Sequence, residues 1–141
     1  MWILYALLAA ILWGLNYSLA EKILHSISPI TLLSIEMFFG AILFFIISYF
    51  THFKTDFHTL LTQTNILILT LVEVAVILLA SYFIVKSINS KDATVAGIIE
   101  IIYPLFTVLF TWLLFGENHI NLPVIIGGSL ILVGVAIISF A

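Results

Sequence analysis

Residues 30–50 read ITLLSIEMFFGAILFFIISYF, with Glu36 as the one charged residue in the run. Roughly 20 apolar residues in a helix cross the ~30 Å hydrocarbon layer of a bilayer. The run is continuous and lacks the alternation of a barrel strand. A helix is the natural choice for it, because all its backbone groups are satisfied internally. Four other segments have the same character: Trp2–Leu24, Asn65–Val85, Ala93–Phe115 and Leu122–Phe140. The expected fold is therefore all-α integral membrane, a single domain over residues 1–141 with five transmembrane helices.

Composition points the same way. Of 141 residues 64% are hydrophobic and 8% charged, with a mean hydropathy of +1.34. Soluble domains run nearer half apolar and a quarter charged. The chain has no cysteine, which removes disulfide and thiolate chemistry. Net charge is −3 with four Lys+Arg in all, so neither a nucleic-acid partner nor a polybasic lipid-binding arm is expected. Met1-Trp2-Ile3-Leu4-Tyr5 carries no basic stretch, and the first segment is read as a retained helix rather than a cleaved signal. The lack of an N-terminal extension makes a bacterial or archaeal inner membrane the expected location. Asn16-Tyr17-Ser18 has the form of a glycosylation sequon but lies within the first span.

The breaks between spans carry helix-start chemistry. Ser28-Pro29 offers an N-cap followed by proline at the first helical position. Ser90-Lys91-Asp92 holds two candidate caps, Asn121-Leu122-Pro123 opens the last helix, and Gly116 ends the fourth. Three connections are short, so neighbouring helices run antiparallel. The exception is Thr51–Thr64, with His52, Lys54, Asp56 and His58, which is read as an interfacial loop or short amphipathic turn. An odd number of spans places the termini on opposite faces. Lys22, Lys86 and Lys91 share one face and Lys54 the other, which favours a cytoplasmic C-terminus by a thin margin.

Three carboxylates fall within spans: Glu36, Glu73 and Glu100. None has a Lys or Arg in its own span. Each costs on the order of 2.5 kcal/mol or more to insert, so such residues face a bundle interior or a watery cavity. A carboxyl there is suited to exchanging a proton for a cationic group, or to carrying the proton itself. The structural alternative is a protonated Glu donating one interhelical hydrogen bond, worth ~1 kcal/mol. Glu100 has the most polar surroundings, since Ala93, Ala96, Glu100, Pro104, Thr107 and Thr111 form one small, polar stripe at helical spacing. Pro104 lacks the donor that the Glu100 carbonyl would otherwise receive, so a helix kink is expected there. A freed carbonyl beside a carboxyl is the chemistry of a midplane ligand site in transporters; a kink satisfied by the threonines is the plainer reading. Trp13, Asn16, Tyr17 and Ala20 share a face of the first helix, with Trp13 at cavity depth. Glu36 shares a face with Gly40, and Gly127 and Gly134 share one with Gly128 beside them, which reads as a packing seam.

His25, His52, His58 and His119 lie in connections, without the spacing of a helical metal site. There is no phosphate loop and no nucleophile in a catalytic context. No enzyme activity, metal or cofactor is expected.

The order of these features resembles one repeat of the EamA-like drug/metabolite transporter superfamily. The matching pieces are Trp13-Gly14-Leu15-Asn16-Tyr17, Ser28-Pro29 with Thr31-Leu32, the Ser87–Ala93 turn, Tyr103-Pro104, Gly116-Glu117 and the glycine-bearing last helix. The small multidrug resistance branch is a weaker match, because it has four spans and an acid in the middle of its first helix. Members of the superfamily often carry Arg where this chain has Glu36, and Glu where it has Tyr103. Those departures make a cationic or zwitterionic substrate more attractive.

The resemblance implies half of an inverted-repeat transporter fold. It also implies a transporter or exporter of small polar metabolites, with amino acids or organic cations first in line. The cavity would be lined by Trp13, Asn16, Tyr17, Glu36, Glu73, Glu100 and Tyr103. A lone half implies a homodimer, antiparallel or else parallel, working by alternating access, with any coupling being to protons through a carboxylate. The alternative is a non-transporting membrane subunit or a lipid-flipping partner protein. The expected partners are thus a small-molecule substrate, the lipid bilayer and a second copy, with no nucleic acid.

Overall fold

The computed structural model describes residues 1–118 and 120–140; the His119 reading lies outside the described residues. All regular structure among them is helical: α1 (Trp2–Leu24), α2 (Pro29–Phe50), α3 (Phe53–Thr62), α4 (Thr64–Ser90), α5 (Ala93–Glu100), α6 (Tyr103–Phe115) and α7 (Leu122–Ile138). Four stretches are long and apolar enough to cross a membrane: α1, α2, α4, and α5 with α6 taken as Ala93–Phe115. The last helix, α7, is shorter at 17 residues. At 1.5 Å per residue it extends about 25 Å, the lower end of what a span needs. The chain is thus an all-helical membrane protein with four full-length spans and a fifth, shorter apolar helix.

The helix starts are chemically explicit. Ser28 Oγ accepts from the Thr31 N–H at 3.3 Å, with Pro29 opening α2. Asp92 accepts from the Val95 N–H at 2.7 Å, and Asn121 from the Val124 N–H at 3.0 Å. Each satisfies a donor that the helix itself leaves orphaned. Gly116 closes α6 with φ +71°, a conformation that penalises any side chain, and its N–H reaches the Trp112 carbonyl.

Three features differ from the sequence reading. α4 continues to Ser90, beyond the apolar limit at Val85, because Lys86–Ser90 contains neither Gly nor Pro. Hydropathy ends there, but helicity does not. The Thr51–Thr64 connection is mostly the helix α3, whose Phe53, Phe57, Leu60 and Leu61 recur at helical spacing. His58 is therefore helical, and His52 sits at the N-cap position of α3. Finally, Ala93–Phe115 is two helices separated at Ile101–Ile102. Pro104 accounts for the break: it has no N–H for the Glu100 carbonyl, and the Leu105 N–H bonds instead to Ile102 at 3.0 Å.

The chain forms two compact units. The first, Met1–Glu21 with Ser87–Ala141, contains most of α1 together with α5, α6 and α7. Its buried residues are mainly small, among them Ala20, Ala93, Ala96 and Gly128. Small residues let membrane helices approach closely, since dispersion rather than the hydrophobic effect drives their association. Gly128 shows this directly: a Cβ there would lie 2.5 Å from Leu105 Cδ2. Gly127 and Gly134, expected to form the seam, meet nothing within 4 Å, and nor does Gly40. The second unit, Lys22–Lys86, contains α2, α3 and most of α4. Its outward side chains are large and apolar, such as Phe44 and Phe50, which suits acyl chains as solvent.

Candidate functional site

Three contacts join α1 to α5 inside the first unit. Near the end of α1, Glu21 Oε2 accepts from the Ala93 N–H at 2.9 Å. One turn back, the Tyr17 ring lies against Gly97, where an added Cβ would be 3.2 Å from Tyr17 Cδ2. The Tyr17 hydroxyl then donates to a Glu100 carboxylate oxygen. Rising numbers on α5 meet falling numbers on α1, so the two helices run antiparallel. Ala20 and Ala96, each 3% exposed, provide the close approach that the contact requires.

The sequence dictates each part of this arrangement. Tyr17 and Glu21 are four apart and share one face of α1, and Gly97 and Glu100 are three apart on α5. Asp92 caps the Val95 N–H while Glu21 takes that of Ala93, so two carboxylates satisfy two of the orphan donors that open α5. They also lie at the positive end of its dipole. Glu100 ends α5 immediately before the Ile101–Ile102 break. Thr107 Oγ1 donates to the Tyr103 carbonyl at 3.2 Å, so it is not spent on the carbonyl of Glu100.

By chain position the pair lies within about 5 Å of the middle of a ~30 Å span. Glu100 is seven residues in from Ala93, and Tyr17 seven from Leu24. At 1.5 Å per residue both are about 10 Å from their helix ends, out of a ~30 Å layer. The end in question is the one bearing Glu21, Lys22, Lys91 and Asp92.

Of the residues singled out in the sequence, Trp13, Tyr17 and Glu100 come together, and Tyr103 is close enough to act on the Tyr17 hydroxyl electrostatically. The Trp13 and Tyr17 rings are 5.6 Å apart and tilted at 57°. Trp13 remains more than half exposed, and Tyr103 likewise. Asn16 is half-buried on the same turn as Tyr17 and makes no hydrogen bond among the described residues. Pro104 stands in the first turn of α6. Glu36, half-buried on α2, and Glu73, exposed on α4, belong to the second unit. Glu21 was missed because it falls at the edge of a span, where a carboxylate is ordinarily left to headgroup water. Its four-residue spacing from Tyr17 was the available signal.

Chemically, the arrangement is a carboxyl held by one phenol, flanked by aromatic surface. A phenol occupies part of the acceptor capacity of a carboxylate, which can engage several donors. The remainder suits an ammonium or guanidinium group, or a proton. The aromatic faces of Trp13 and Tyr17 favour the same charge.

A family model for the EamA-like transporter family matches residues 1–140. No curated protein and no solved structure matches the chain.

Proposed function

The chain belongs to the EamA-like transporter family, and on that footing we propose that it carries small polar metabolites, amino acids or organic cations, across a bacterial or archaeal plasma membrane. The observation that carries this reading is the hydrogen bond from Tyr17 to Glu100 within the membrane-spanning part of the first unit. A carboxyl at that depth is costly to insert. Retaining one beside a break in its helix has a use if a cation or a proton visits it. Glu100 receives the positive group of the substrate, Trp13 and Tyr17 bound its approach, and the Tyr17 hydroxyl aims the carboxyl. Exchange of a proton for the cationic group at Glu100 couples transport to the proton gradient. Glu36 and Glu73 are candidate proton carriers in the second unit.

In an inverted-repeat transporter a five-helix repeat rocks against an opposing half. Two copies inserted in opposite orientations, forming a homodimer, supply it and permit alternating access. The modest lysine asymmetry between faces, Lys22, Lys86 and Lys91 against Lys54, allows both orientations. Reporter fusions to the C-terminus are expected to show both populations in one membrane. A single fixed orientation for every molecule would remove the antiparallel pair.

The test of the transport reading is uptake into liposomes containing the purified chain, with amino acids, polyamines and quaternary cations as the panel. Glu100→Gln is expected to abolish substrate-dependent uptake while the protein still inserts and folds. Activity retained in that variant would take Glu100 out of the mechanism. Silence of the native chain across the panel, in folded and inserted protein, would favour a non-transporting subunit or a lipid substrate.

A further inference from the structure

We propose that α3 is a membrane-surface helix that seats Phe57 and Leu61 at the boundary of headgroups and acyl chains and lays Lys54 on lipid phosphate. This seating of α3 does not depend on what the chain transports.

Position comes first. α3 joins the end of α2 to the start of α4 through Thr51–His52 on one side and Gln63 on the other. Both neighbours are long and apolar enough to span the membrane. Ten residues of helix rise about 15 Å, half of the ~30 Å hydrocarbon layer. α3 therefore cannot cross, and linkers of one or two residues, at about 3.5 Å each, cannot carry it away from the surface.

The faces of α3 then say how it lies there. Phe53, Phe57, Leu60 and Leu61 recur at i, i+4, i+7 and i+8, an apolar stripe on a helix otherwise made of Lys54, Thr55, Asp56, His58, Thr59 and Thr62. One end of the stripe is anchored within its own unit: the Phe53 ring meets Phe45 of α2 at 5.4 Å, edge on. Phe57 stacks on Phe53 at 5.4 Å and 15°. The apolar surface of α2 thus continues onto α3 without interruption. The far side of the stripe is uncovered, with Phe57 48% and Leu61 67% exposed.

Charge selects the occupant. At 100° per residue, Lys54 and His58 border the stripe on the same side as the exposed Leu61, and Asp56 borders the other. An apolar edge rimmed by a lysine, whose stem can snorkel along it, matches a phospholipid surface. A protein partner would need no such order of acyl-seeking and phosphate-seeking groups across one helix.

The chain has no cysteine, so single cysteines on α3 can be spin-labelled without background. The full-length protein in liposomes is the sample, and collision with oxygen and with a water-soluble nickel reagent is the measurement. Labels at Phe57→Cys and Leu61→Cys are expected to favour oxygen several-fold over labels at Thr55→Cys and Thr62→Cys, on the opposite face. Nickel access at 57 and 61 equal to that at 55 and 62 would overturn the proposal, since the helix would then stand in water. Shielding of 57 and 61 from both reagents would overturn it in favour of a second copy or a protein partner. The label at 61 is further expected to lie deeper in phospholipid vesicles than in vesicles of uncharged galactolipid, which carry no phosphate, and Lys54→Gln to erase that difference. Equal depth in both lipids with Lys54 present would overturn the phosphate contact.

Discussion

Tyr17 contributes two separable things, a ring that fits against Gly97 and a hydroxyl that holds Glu100. Tyr17→Phe removes the second alone. It is expected to leave thermal stability within about 1 kcal/mol, the scale of one hydrogen bond between membrane helices, and to raise KM for a cationic substrate more than it lowers kcat. A matched loss of stability and of kcat, read by denaturation in detergent and by uptake, would assign Tyr17 a packing role instead. Gly97 tests the same contact from the other helix. A Cβ at 3.2 Å from the Tyr17 ring is tighter than ordinary packing, so Gly97→Val is expected to push the hydroxyl off Glu100 and reproduce the transport defect of Tyr17→Phe. Gly128→Val should destabilise the α6–α7 packing by roughly 1–3 kcal/mol, the usual cost of overpacking. Leu105→Ala should recover part of that loss, because the clash is with the Leu105 side chain.

Among the elements, α5 is the one whose ends do the most. Its start is held by Asp92 and Glu21 and its finish by the demands of Pro104. Asp92→Ala is expected to cost about 1 kcal/mol as a lost cap. Pro104→Ala restores a donor for the Glu100 carbonyl, so it should stabilise the span yet reduce transport if the break positions the Glu100 carboxyl. A variant both more stable and fully active would separate the break from function. The helix starts at Ser28, Asp92 and Asn121 were legible in the sequence, because a cap is a local hydrogen bond written in two or three adjacent residues. The extent of α4 was not, since hydropathy falls at Lys86 while nothing there stops a helix. Where the sequence suggests an interfacial loop or short amphipathic turn, α3 is a ten-residue helix, because Phe53, Phe57, Leu60 and Leu61 recur at helical spacing. The Tyr17–Glu100 contact joins residues far apart in sequence; Trp13, Tyr17 and Glu100 were each legible as candidates, but their meeting depends on how α1 packs on α5. For Glu21 the four-residue spacing from Tyr17 was legible, but not its partner, a backbone N–H on another helix.

Across the whole molecule, the chain is a membrane protein of the EamA-like transporter family with its charged groups gathered towards the ends of its spans. The exceptions are Glu36, Glu73 and Glu100, and of these Glu100 has a partner on a neighbouring helix in the hydrogen-bond pattern of the described residues. That difference makes Glu100 the centre of the functional account, while Glu36→Gln and Glu73→Gln test the proton-carrying role proposed for the second unit. The most direct test records substrate-dependent currents from the purified chain in liposomes, native beside Glu100→Gln, over amino acids, polyamines and quaternary cations. The account predicts a current with a cationic or zwitterionic substrate that vanishes in Glu100→Gln while insertion and folding are unchanged. An undiminished current in Glu100→Gln, from protein shown to be equally folded, would contradict it.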